Sequence, residues 1–429
     1  TNDHEQYLNA QKNTYDKIKS LVCFSTDDMV NWTYHGEINV GKIAPWIYNS
    51  WAPSICSRVE EDGLTHFYLY FSNNGTGVGV ITATSPLGPW SDPLKKPLIK
   101  YGMKGLENCP NPFDPGVCID DKGDGWLVFG SGIGKKGGTK AMPGSANIVK
   151  LGKDMISFAS DFVQIKAPYS FEANEIDFMN GTYVYTYNTS WDERSEWPFK
   201  DIEKAPACSM CYMTSKTPLD ADSWVYQKHY FKNPGEMGLN YSNNHTHLQK
   251  FHDKWYLLYH TLTLQEKAPT SGGFRSMCVD EIQIDEKVPD IKETTGSRKG
   301  LAAIKNLNPF EKVAGTTMLT SADIWYSDIE TPEKIAARAE SNGAWILVKN
   351  VDFGQGADVI EAKVKGSGSI QIRINKASET IAVIKPKATS IKEGFTSINA
   401  KFNQKITGCQ DIWIVFTNKG DELLEWSVK

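Results

Sequence analysis

The sequence lacks any apolar run of about 18 residues, the length that a membrane-spanning helix needs. It also lacks a positive charge excess: the formal net charge is −5, which argues against nucleic acid or an anionic membrane as a general partner. Long stretches with helical periodicity are missing as well. These absences exclude a helical membrane protein and favour a globular fold that is poor in helix.

Cysteine is scarce, and the chain begins at Thr1 rather than at Met. Among the eight cysteines only Cys208 and Cys211 form a C-x-x-C, in a strand-like segment where residues three apart face opposite sides. We therefore expect core cysteines, with redox chemistry as the minor alternative. The start at Thr1 indicates an N-terminus that was processed, trimmed or left out. We expect a secreted or periplasmic protein whose signal peptide is not in the sequence shown.

Aromatic residues are abundant instead, with 13 Trp and 18 Tyr among 429 residues. Aromatic side chains fit the half-buried surface of β-strands, so a β-rich core explains them. Their large flat faces also suit contact with sugar rings. A β-rich core and a carbohydrate-binding surface are therefore both open explanations.

A repeated pattern of aromatic and apolar strands runs through the first 285 residues. Each repeat alternates with period two, ends in Gly, Asn or Asp turns, and follows the previous one after roughly 40–60 residues, as propeller blades do. The five repeats are residues 20–32, 66–90, 125–158, 182–224 and 254–285. The sequence therefore predicts an all-β chain in which residues 1–305 form a five-bladed β-propeller.

The pattern changes after about Leu301. A polar linker is followed by short, strictly alternating strands such as "AWILVKNVDFG" and "DIWIVFT", which Gly, Lys and Asn turns separate. Such strands predict an antiparallel, jelly-roll-like β-sandwich over residues 306–429.

Polar residues stand where the predicted blades begin or turn. A propeller arranges its blades around a central channel, so side chains far apart in the sequence meet at one mouth. The segments are "NPFDPGV" with Asp114, "FEANEI" with Glu172 and Glu175, "NNHTHLQ" with His245, and "GGFRSM" with Arg275.

Taken together, these segments resemble glycoside hydrolase family 43, the five-bladed arabinofuranosidases and xylosidases. D-P-G-V at Asp114, F-E-A at Glu172, N-N-H before "KWYLLYH", and "SWAPS" at residues 50–54 follow the family's order, and the resemblance covers nearly the whole chain. It implies Glu172 as the general acid, Asp114 as the group that tunes its pKa and orients it, and Arg275 as a partner of the base or the substrate. A turn residue at Asp114 and a surface ion pair at Arg275 are the structural alternatives.

The resemblance also implies that His245 lies near the channel axis, beside a structural calcium ion or a water, whereas the chemistry itself requires no cofactor. A buried, hydrogen-bonded histidine explains His245 nearly as well, and His247 is the competing position. Glycoside cleavage needs one protonated carboxyl and one ionised carboxylate. A second carboxylate near Glu172 would keep Glu172 protonated at neutral pH.

One further carboxylate and three aromatic residues lie in or near these segments. Glu175 is interpreted as a solvated turn carboxylate, because Glu172 holds the motif position after Phe171. Trp51, Trp191 and Phe171 are the candidate substrate-binding residues, although packing explains the two tryptophans equally well.

The family's general base, an Asp in a D-P-[SA] motif at the first blade, has no counterpart before Asp114. We expect this base upstream of the sequence shown, or absent, and Asp3 is a poor substitute. A chain without its base should bind sugar and hydrolyse it at most feebly, because nothing activates the water.

The second predicted domain resembles a family 6 carbohydrate-binding module through "VKNVDFGQGADVIEAKVKG" and "GCQDIWIVFTN". Phe395 stands where that family often has Trp, and "LLEW", ending at Trp426, replaces its usual N-F-D-W. Sugar binding and docking against the propeller edge are therefore both open for this domain.

These features predict an inverting exo-glycoside hydrolase that releases α-L-arabinofuranose from arabinoxylan or xylan oligosaccharides. A β-xylosidase, or a bifunctional enzyme, is the close alternative, because the two sugars present similar edges. A non-catalytic glycan-binding protein is the alternative of another class, motivated by the missing base.

Overall fold

The computed structural model of the chain is all-β, as expected, and the helices among its described residues are short. It describes residues 6, 10–130, 141–142, 144–192, 194–266, 273–327, 331, 334–374, 378–386 and 394–429. The short helical elements include α1 (Val40–Ile43), α2 (Thr263–Glu266) and 3₁₀ turns at Asn74–Thr76 and Pro234–Met237. Among the described residues, no helix has the length and hydropathy of a membrane span.

The chain divides into two compact units. The first unit comprises Thr1–Leu21 and Asn39–Lys299, and the second comprises Val22–Ile38 and Gly300–Lys429. This division differs from the predicted one at residue 305 because an early segment of the chain belongs to the second unit.

The early segment contains the first predicted repeat, which forms β1 (Leu21–Ser25) and β2 (Trp32–Ile38). β2 pairs antiparallel with Thr317–Met318, and the ring of Tyr34 stacks on Tyr326 with centroids 4.1 Å apart. The unpaired backbone groups of a strand need a neighbour, and β2 finds its neighbour within the second unit. This repeat is therefore not one of the sheets of the first unit.

The other four predicted repeats lie in four antiparallel sheets of the first unit, and each sheet takes its strands in chain order. The strands are β3 (Trp51–Val59), β4 (Thr65–Ser72), β5 (Gly77–Ala83) and β6 (Ile99–Lys100); β7 (Gly116–Ile119), β8 (Gly125–Gly130), β9 (Ala146–Lys150) and β10 (Val163–Ile165); β11 (Ser170–Met179), β12 (Thr182–Thr189), β13 (Met210–Ser215) and β14 (Val225–Phe231); β15 (Thr246–Phe251), β16 (Lys254–Thr261) and β17 (Ser276–Ile282). A two-stranded sheet, β18 (Ile284–Asp285) with β19 (Asp290–Ile291), follows them.

Successive sheets of the first unit pack face to face through apolar clusters. Along β8, Leu127 and Phe129 join a cluster with the β3–β6 sheet, whereas Trp126 and Val128 join a cluster with the β11–β14 sheet. A third cluster joins the β11–β14 and β15–β17 sheets. Because side chains alternate along a strand, a strand that is covered on both faces becomes a continuous apolar run, as "GWLVFG" is.

The described part of the second unit contains two large antiparallel sheets around one core, besides the small sheet of β1, β2 and Thr317–Met318, so the predicted β-sandwich is confirmed. Its remaining strands are β20 (Val313–Ala314), β21 (Thr317–Met318), β22 (Thr320–Ala322), β23 (Ile324–Ser327), β24 (Ala336–Ala339), β25 (Trp345–Asp352), β26 (Ala357–Lys365), β27 (Ile370–Ile374), β28 (Glu379–Ile384), β29 (Thr396–Ile406), β30 (Cys409–Phe416) and β31 (Glu422–Val428). One sheet has the order β23-β24-β31-β26-β29, with β20 paired to β31, and the other has the order β22-β25-β30-β27-β28. Ile360 of β26 and Ile414 of β30 are 1% exposed and meet in the shared core.

Candidate active site

Three sheets of the first unit begin with an irregular backbone. Ala52, Asp114 and Ala173, at or just before the start of β3, β7 and β11, have φ angles of 35°, 48° and 61°. Residues with a side chain rarely adopt this region. β3 and β11 also contain bulges near these positions. Such strain persists where the surrounding structure holds it, and it often re-aims side chains next to functional sites. This edge of the sheets is therefore the candidate active site.

Asp114 is the buried anchor of this edge, with 5% of its surface exposed. Its Oδ2 accepts a hydrogen bond from the backbone N–H of Ala173 at 2.9 Å, and its Oδ1 accepts one from Ser72 Oγ at 3.3 Å. Burial raises the pKa of this carboxyl, whereas nearby positive charges and these hydrogen bonds lower it. Because both oxygens accept hydrogen bonds, we take Asp114 as the ionised member of its pair with Glu172.

Glu172 lies beside Asp114 in a different environment. Burial, followed by the negative charge of Asp114, raises the pKa of Glu172 to about 8, while Arg275 acts in the opposite direction. A carboxyl with that pKa keeps its proton at neutral pH and can donate it. Of the two carboxyls, Glu172 is therefore the one suited to donate a proton.

Arg275 and two histidines lie close to the carboxyl pair. Arg275 is exposed, and its guanidinium carbon lies 5.2 Å from the ring centroid of Tyr15. Burial, with the positive charges of Arg275 and His245, lowers the pKa of His260 to about 3. His260 is therefore neutral, and its Nε2 lies 3.3 Å from Asn243 Oδ1.

His245 interacts electrostatically with Asp114 as well as with His260, which places it at the same edge. Within the described part of the chain, no group of three or more His, Cys, Asp or Glu side chains is arranged to hold a metal ion. The described residues around His245 therefore do not form a metal-binding set of their own.

Glu175 is 6% exposed, so its interpretation as a solvated turn carboxylate is wrong. The bulge in β11 is the physical reason. Glu172 and Glu175 are three residues apart, but their register partners on β12, Asn188 and Thr186, are only two apart. The two carboxylates therefore point to the same face of the sheet.

Glu175 belongs to a second charged cluster on that face. Its Oε2 accepts a hydrogen bond from Ser54 Oγ at 3.2 Å, and its Oε1 lies 3.4 Å from Nδ1 of His247. Burial raises the pKa of Asp177 to about 7, with His247 opposing the rise and Glu175 adding to it. The polar face thus continues from Glu172 along β11.

The three predicted substrate-binding residues differ in exposure. Trp51 is half-buried, and its indole N–H donates to the carbonyl oxygen of Tyr15 at 3.0 Å. Phe171 is also half-buried. Trp191 is 44% exposed and lies edge-on to Tyr241, with ring centroids 5.5 Å apart. Trp191 therefore offers more free ring surface than the other two.

Two neutral side chains that fasten the site were missed in the sequence. Asn174 Nδ2 donates to the carbonyl oxygens of Asp114 at 3.0 Å and Gly130 at 2.9 Å, while its Oδ1 accepts from Tyr185 Oη. Ser72 Oγ accepts from the backbone N–H of Asp114 at 2.7 Å. The sequence feature that could have indicated this role is Asn174 itself, a short amide inside "FEANEI", where the alternation of the strand breaks down.

The aromatic residues considered for sugar binding in the second unit also differ. Trp426 is 2% exposed and packs within the sandwich core, so it cannot serve as a surface clamp. Phe395 is half-buried, and Lys365 Nζ lies 5.9 Å from its ring centroid. Of these two aromatic residues, only Phe395 has free surface.

Comparisons with known proteins cover nearly the whole chain. Residues 2–289 match Glycosyl hydrolases family 43, and residues 325–428 match the family 6 carbohydrate binding module. The chain is 32% identical to an arabinoxylan arabinofuranohydrolase of Paenibacillus polymyxa, over 96% of this chain and 66% of that protein. It is also 32% identical to an arabinoxylan arabinofuranohydrolase of Bacillus subtilis (strain 168), over 98% of this chain and 84% of that protein. The chain thus spans slightly less than two thirds of the Paenibacillus protein.

A solved structure gives the same result. A glycoside hydrolase family 43 arabinoxylan arabinofuranohydrolase from Bacillus subtilis, in complex with cellotetraose, is 31% identical and superposes with a TM-score of 0.87. The match covers 97% of this chain and 89% of that one. The strand-start residues at the candidate site all lie within the span that matches the hydrolase family. The chain therefore belongs to glycosyl hydrolases family 43.

Proposed function

We propose that the protein is an inverting exo-glycoside hydrolase that releases α-L-arabinofuranose from arabinoxylan or its oligosaccharides. The observation that carries the proposal is the Asp114–Glu172 pair at one edge of the sheets, in which Asp114 accepts two hydrogen bonds and burial with the charge of Asp114 raises the pKa of Glu172 to about 8. The names of the near-full-length relatives support arabinoxylan as the substrate class.

Glu172 is the general acid in this proposal. Its proton passes to the glycosidic oxygen, so the polysaccharide leaves as a neutral alcohol. The negative charge of Asp114 disfavours early ionisation of Glu172, and its hydrogen bond to Ala173 holds the backbone beside the acid. Arg275 stabilises the glutamate that forms after proton transfer, because its positive charge favours ionised Glu172.

An inverting hydrolase also needs an ionised carboxylate about 6.5–9.5 Å from the acid, which removes a proton from the attacking water. No described residue is proposed for this role, and Asp3 lies outside the described residues. In this proposal, described residues bind the sugar and protonate the leaving group, and a separate carboxylate activates the water.

We extend the proposal to the fold and the setting. The four larger sheets of the first unit, with polar residues at one edge, would supply four blades of a five-bladed propeller. The family matches over residues 2–289 and 325–428 support domains 1–305 and 306–429. A polymeric substrate supports a secreted or periplasmic location. A calcium ion at His245 would take most of its ligands from water, and a thermal melt before and after dialysis against EGTA tests for it.

Product analysis on a defined arabinoxylo-oligosaccharide tests the proposed activity. We expect free arabinose, with at least about 100-fold slower release by Glu172→Gln, because a positioned general acid contributes that much. Glu61→Gln, at an exposed carboxylate in the β3–β4 turn, is the matched control. Xylose as the only product would favour a β-xylosidase, and binding without release would favour a glycan-binding protein.

The same assay is repeated with sodium azide, because the base is a separate group. Azide attacks in place of the activated water and gives a glycosyl azide of inverted configuration. Cleavage that occurs only when azide is present would locate a defect at the base, whereas no cleavage under either condition contradicts the proposed hydrolase.

A further inference from the structure

A fully buried amide lies beside the acid. Asn188 is 0% exposed, and it is the register partner of Glu172 in the pairing of β11 with β12. Its Nδ2 donates to Cys208 Sγ at 3.7 Å, whereas its Oδ1 has no hydrogen-bond partner among the described residues. A buried acceptor that lacks a donor is unfavourable and rare in native structures. The oxygen of this amide therefore needs a donor from its surroundings.

Strand pairing places this amide on the same face of the sheet as the acid. Directly opposite residues of an antiparallel pair have their Cβ atoms about 4.5–5.5 Å apart on one face. Glu172 is half-buried, whereas Asn188 is fully covered. Val184, four residues before Asn188 on β12, shares this face and lies in the cluster between the β11–β14 and β15–β17 sheets. The amide therefore lies on the inner side of the acid, away from solvent.

Cys208 holds the amide in its orientation. The sulfur accepts hydrogen bonds from Nδ2 of Asn188 and, at 3.2 Å, from Nδ2 of Asn233, and it donates to the carbonyl oxygen of Ser242 at 3.7 Å. Because the nitrogen of the Asn188 amide faces the sulfur, its oxygen faces away from the sulfur. Burial raises the pKa of the Cys208 thiol to about 11, and the negative charge of Glu172 adds to the rise. The acid and the amide are thus neighbours of the same sulfur.

The carboxyl of Glu172 can supply the donor that the amide needs. A protonated carboxyl has one O–H donor, whereas the ionised form has only acceptors. Burial and the charges of Asp114 and Arg275 act on the pKa of Glu172, and no hydrogen bond with a described residue contributes to it. The O–H of Glu172 and the Oδ1 of Asn188 are therefore complementary groups on one face of the sheet.

An amide oxygen also distinguishes the two protonation states of the acid. A hydrogen bond to the neutral form favours that form, and an oxygen that faces an ionised carboxylate repels it. Among the charged groups around Glu172, Asp114 favours the protonated form, whereas Arg275 favours the ionised form. The thiol of Cys208 is neutral at neutral pH. The oxygen of Asn188 thus acts in the same direction as Asp114.

We propose that Asn188 is a positioning residue for the acid: its Oδ1 accepts a hydrogen bond from the protonated carboxyl of Glu172 before substrate binds. This inference rests on the proposed function. Rotation about the Cγ–Cδ bond of Glu172 turns the O–H toward the glycosidic oxygen. The proton moves to that oxygen as the bond to the anomeric carbon breaks, and the electron pair of that bond stays on the oxygen. The carboxylate left at Glu172 then faces Asn188 Oδ1, which favours uptake of a proton from solvent before the next turnover.

A carbon-13 NMR titration measures this contact without turnover. The protein is labelled at the side-chain carboxyl carbon of glutamate, and the signal of Glu172 is the one that Glu172→Gln removes. We expect Asn188→Ala to lower the pKa of Glu172 by about 0.5–1 units, because one hydrogen bond contributes that much. Gln227→Ala is the matched control, since its half-buried amide lies on β14 of the same sheet and donates to Thr214 Oγ1 at 2.9 Å.

A second variant fixes the sign of the effect. Leucine branches at the same carbon as asparagine, so Asn188→Leu fills the space with an apolar group and admits no water in place of the amide. The pKa of Glu172 should fall in this variant as well. A rise in Asn188→Leu would mean that the amide had favoured the ionised acid, and it refutes the proposal. Asn188→Leu also decides the question if Asn188→Ala does not fold.

The possible failures separate the two proposals. The alkaline limb of the pH profile of kcat/KM on an arabinoxylo-oligosaccharide should move with the pKa of Glu172, whereas an amide with a merely structural role would lower kcat alike at every pH. If wild type hydrolyses the oligosaccharide and both variants keep the wild-type pKa and alkaline limb, the positioning role is refuted and the hydrolase stands. If both variants lower the pKa but wild type releases no sugar, the contact stands and the hydrolase fails.

Discussion

Replacement of Asp114 by Asn should move the alkaline limb of the pH profile of kcat/KM to lower pH. Glu172 must carry its proton to act as an acid, so its pKa of about 8 sets the pH above which activity falls. The shift from 4.5 to about 8 corresponds to about 5 kcal/mol, with burial as the largest cause and Asp114 as the second. A like charge at short range contributes roughly one to three pKa units. We therefore expect the limb to fall by at least about one unit, to about pH 7.

The assay is initial rates between pH 5 and pH 10 on an arabinoxylo-oligosaccharide and on an aryl arabinofuranoside. The aryl leaving group needs less protonation, so its alkaline limb should be shallower in every variant. Asparagine retains an acceptor oxygen for the N–H of Ala173, which keeps the loop in place. Asp121→Asn, at an exposed carboxylate in the turn before β8, is the matched control. A limb that stays within about 0.3 units in Asp114→Asn would refute the reasoning.

Further predictions concern stability and stereochemistry. Glu172→Gln and Asp177→Asn should raise Tm more at pH 9 than at pH 5. The folded-state pKa values, about 8 for Glu172 and about 7 for Asp177, lie above the ordinary values of 4.5 and 3.8. The stability that the protonated carboxyls contribute is therefore present at low pH and is lost as pH rises through the folded-state pKa. Equal gains at both pH values would contradict this. Trp426→Ala should lower the free energy of unfolding by about 3–5 kcal/mol in urea titrations, because the indole is buried. Phe395→Ala should change the free energy of unfolding by less than about 0.5 kcal/mol. If Phe395→Ala loses xylan affinity while it keeps its stability, Phe395 belongs to a working sugar site. Proton NMR of the first product should show the inverted anomer, and the retained anomer as first product would contradict Glu172 as an acid without a covalent partner.

The regular parts of the fold could be predicted because alternation is a local property. "TYVYTY" and "KWYLLYH" became β12 and β16, and the change in pattern after Leu301 preceded a separate sandwich. The pairing partner of β2 could not be predicted in this way. Its neighbour, Thr317–Met318, lies nearly 300 residues away, and no local pattern specifies which edge a short strand joins.

The error at Glu175 shows the same limit inside the site. Strict alternation puts residues three apart on opposite faces, and Glu175 would then point to a different face from Glu172. The extra residue is absorbed where Ala173 takes a φ of 61°. That conformation is held by a hydrogen bond from Ala173 to Asp114, which belongs to the neighbouring sheet and lies 59 residues earlier. The carboxylate of Asp114, which adds to the rise in the pKa of the acid, therefore also holds the backbone from which the acid projects.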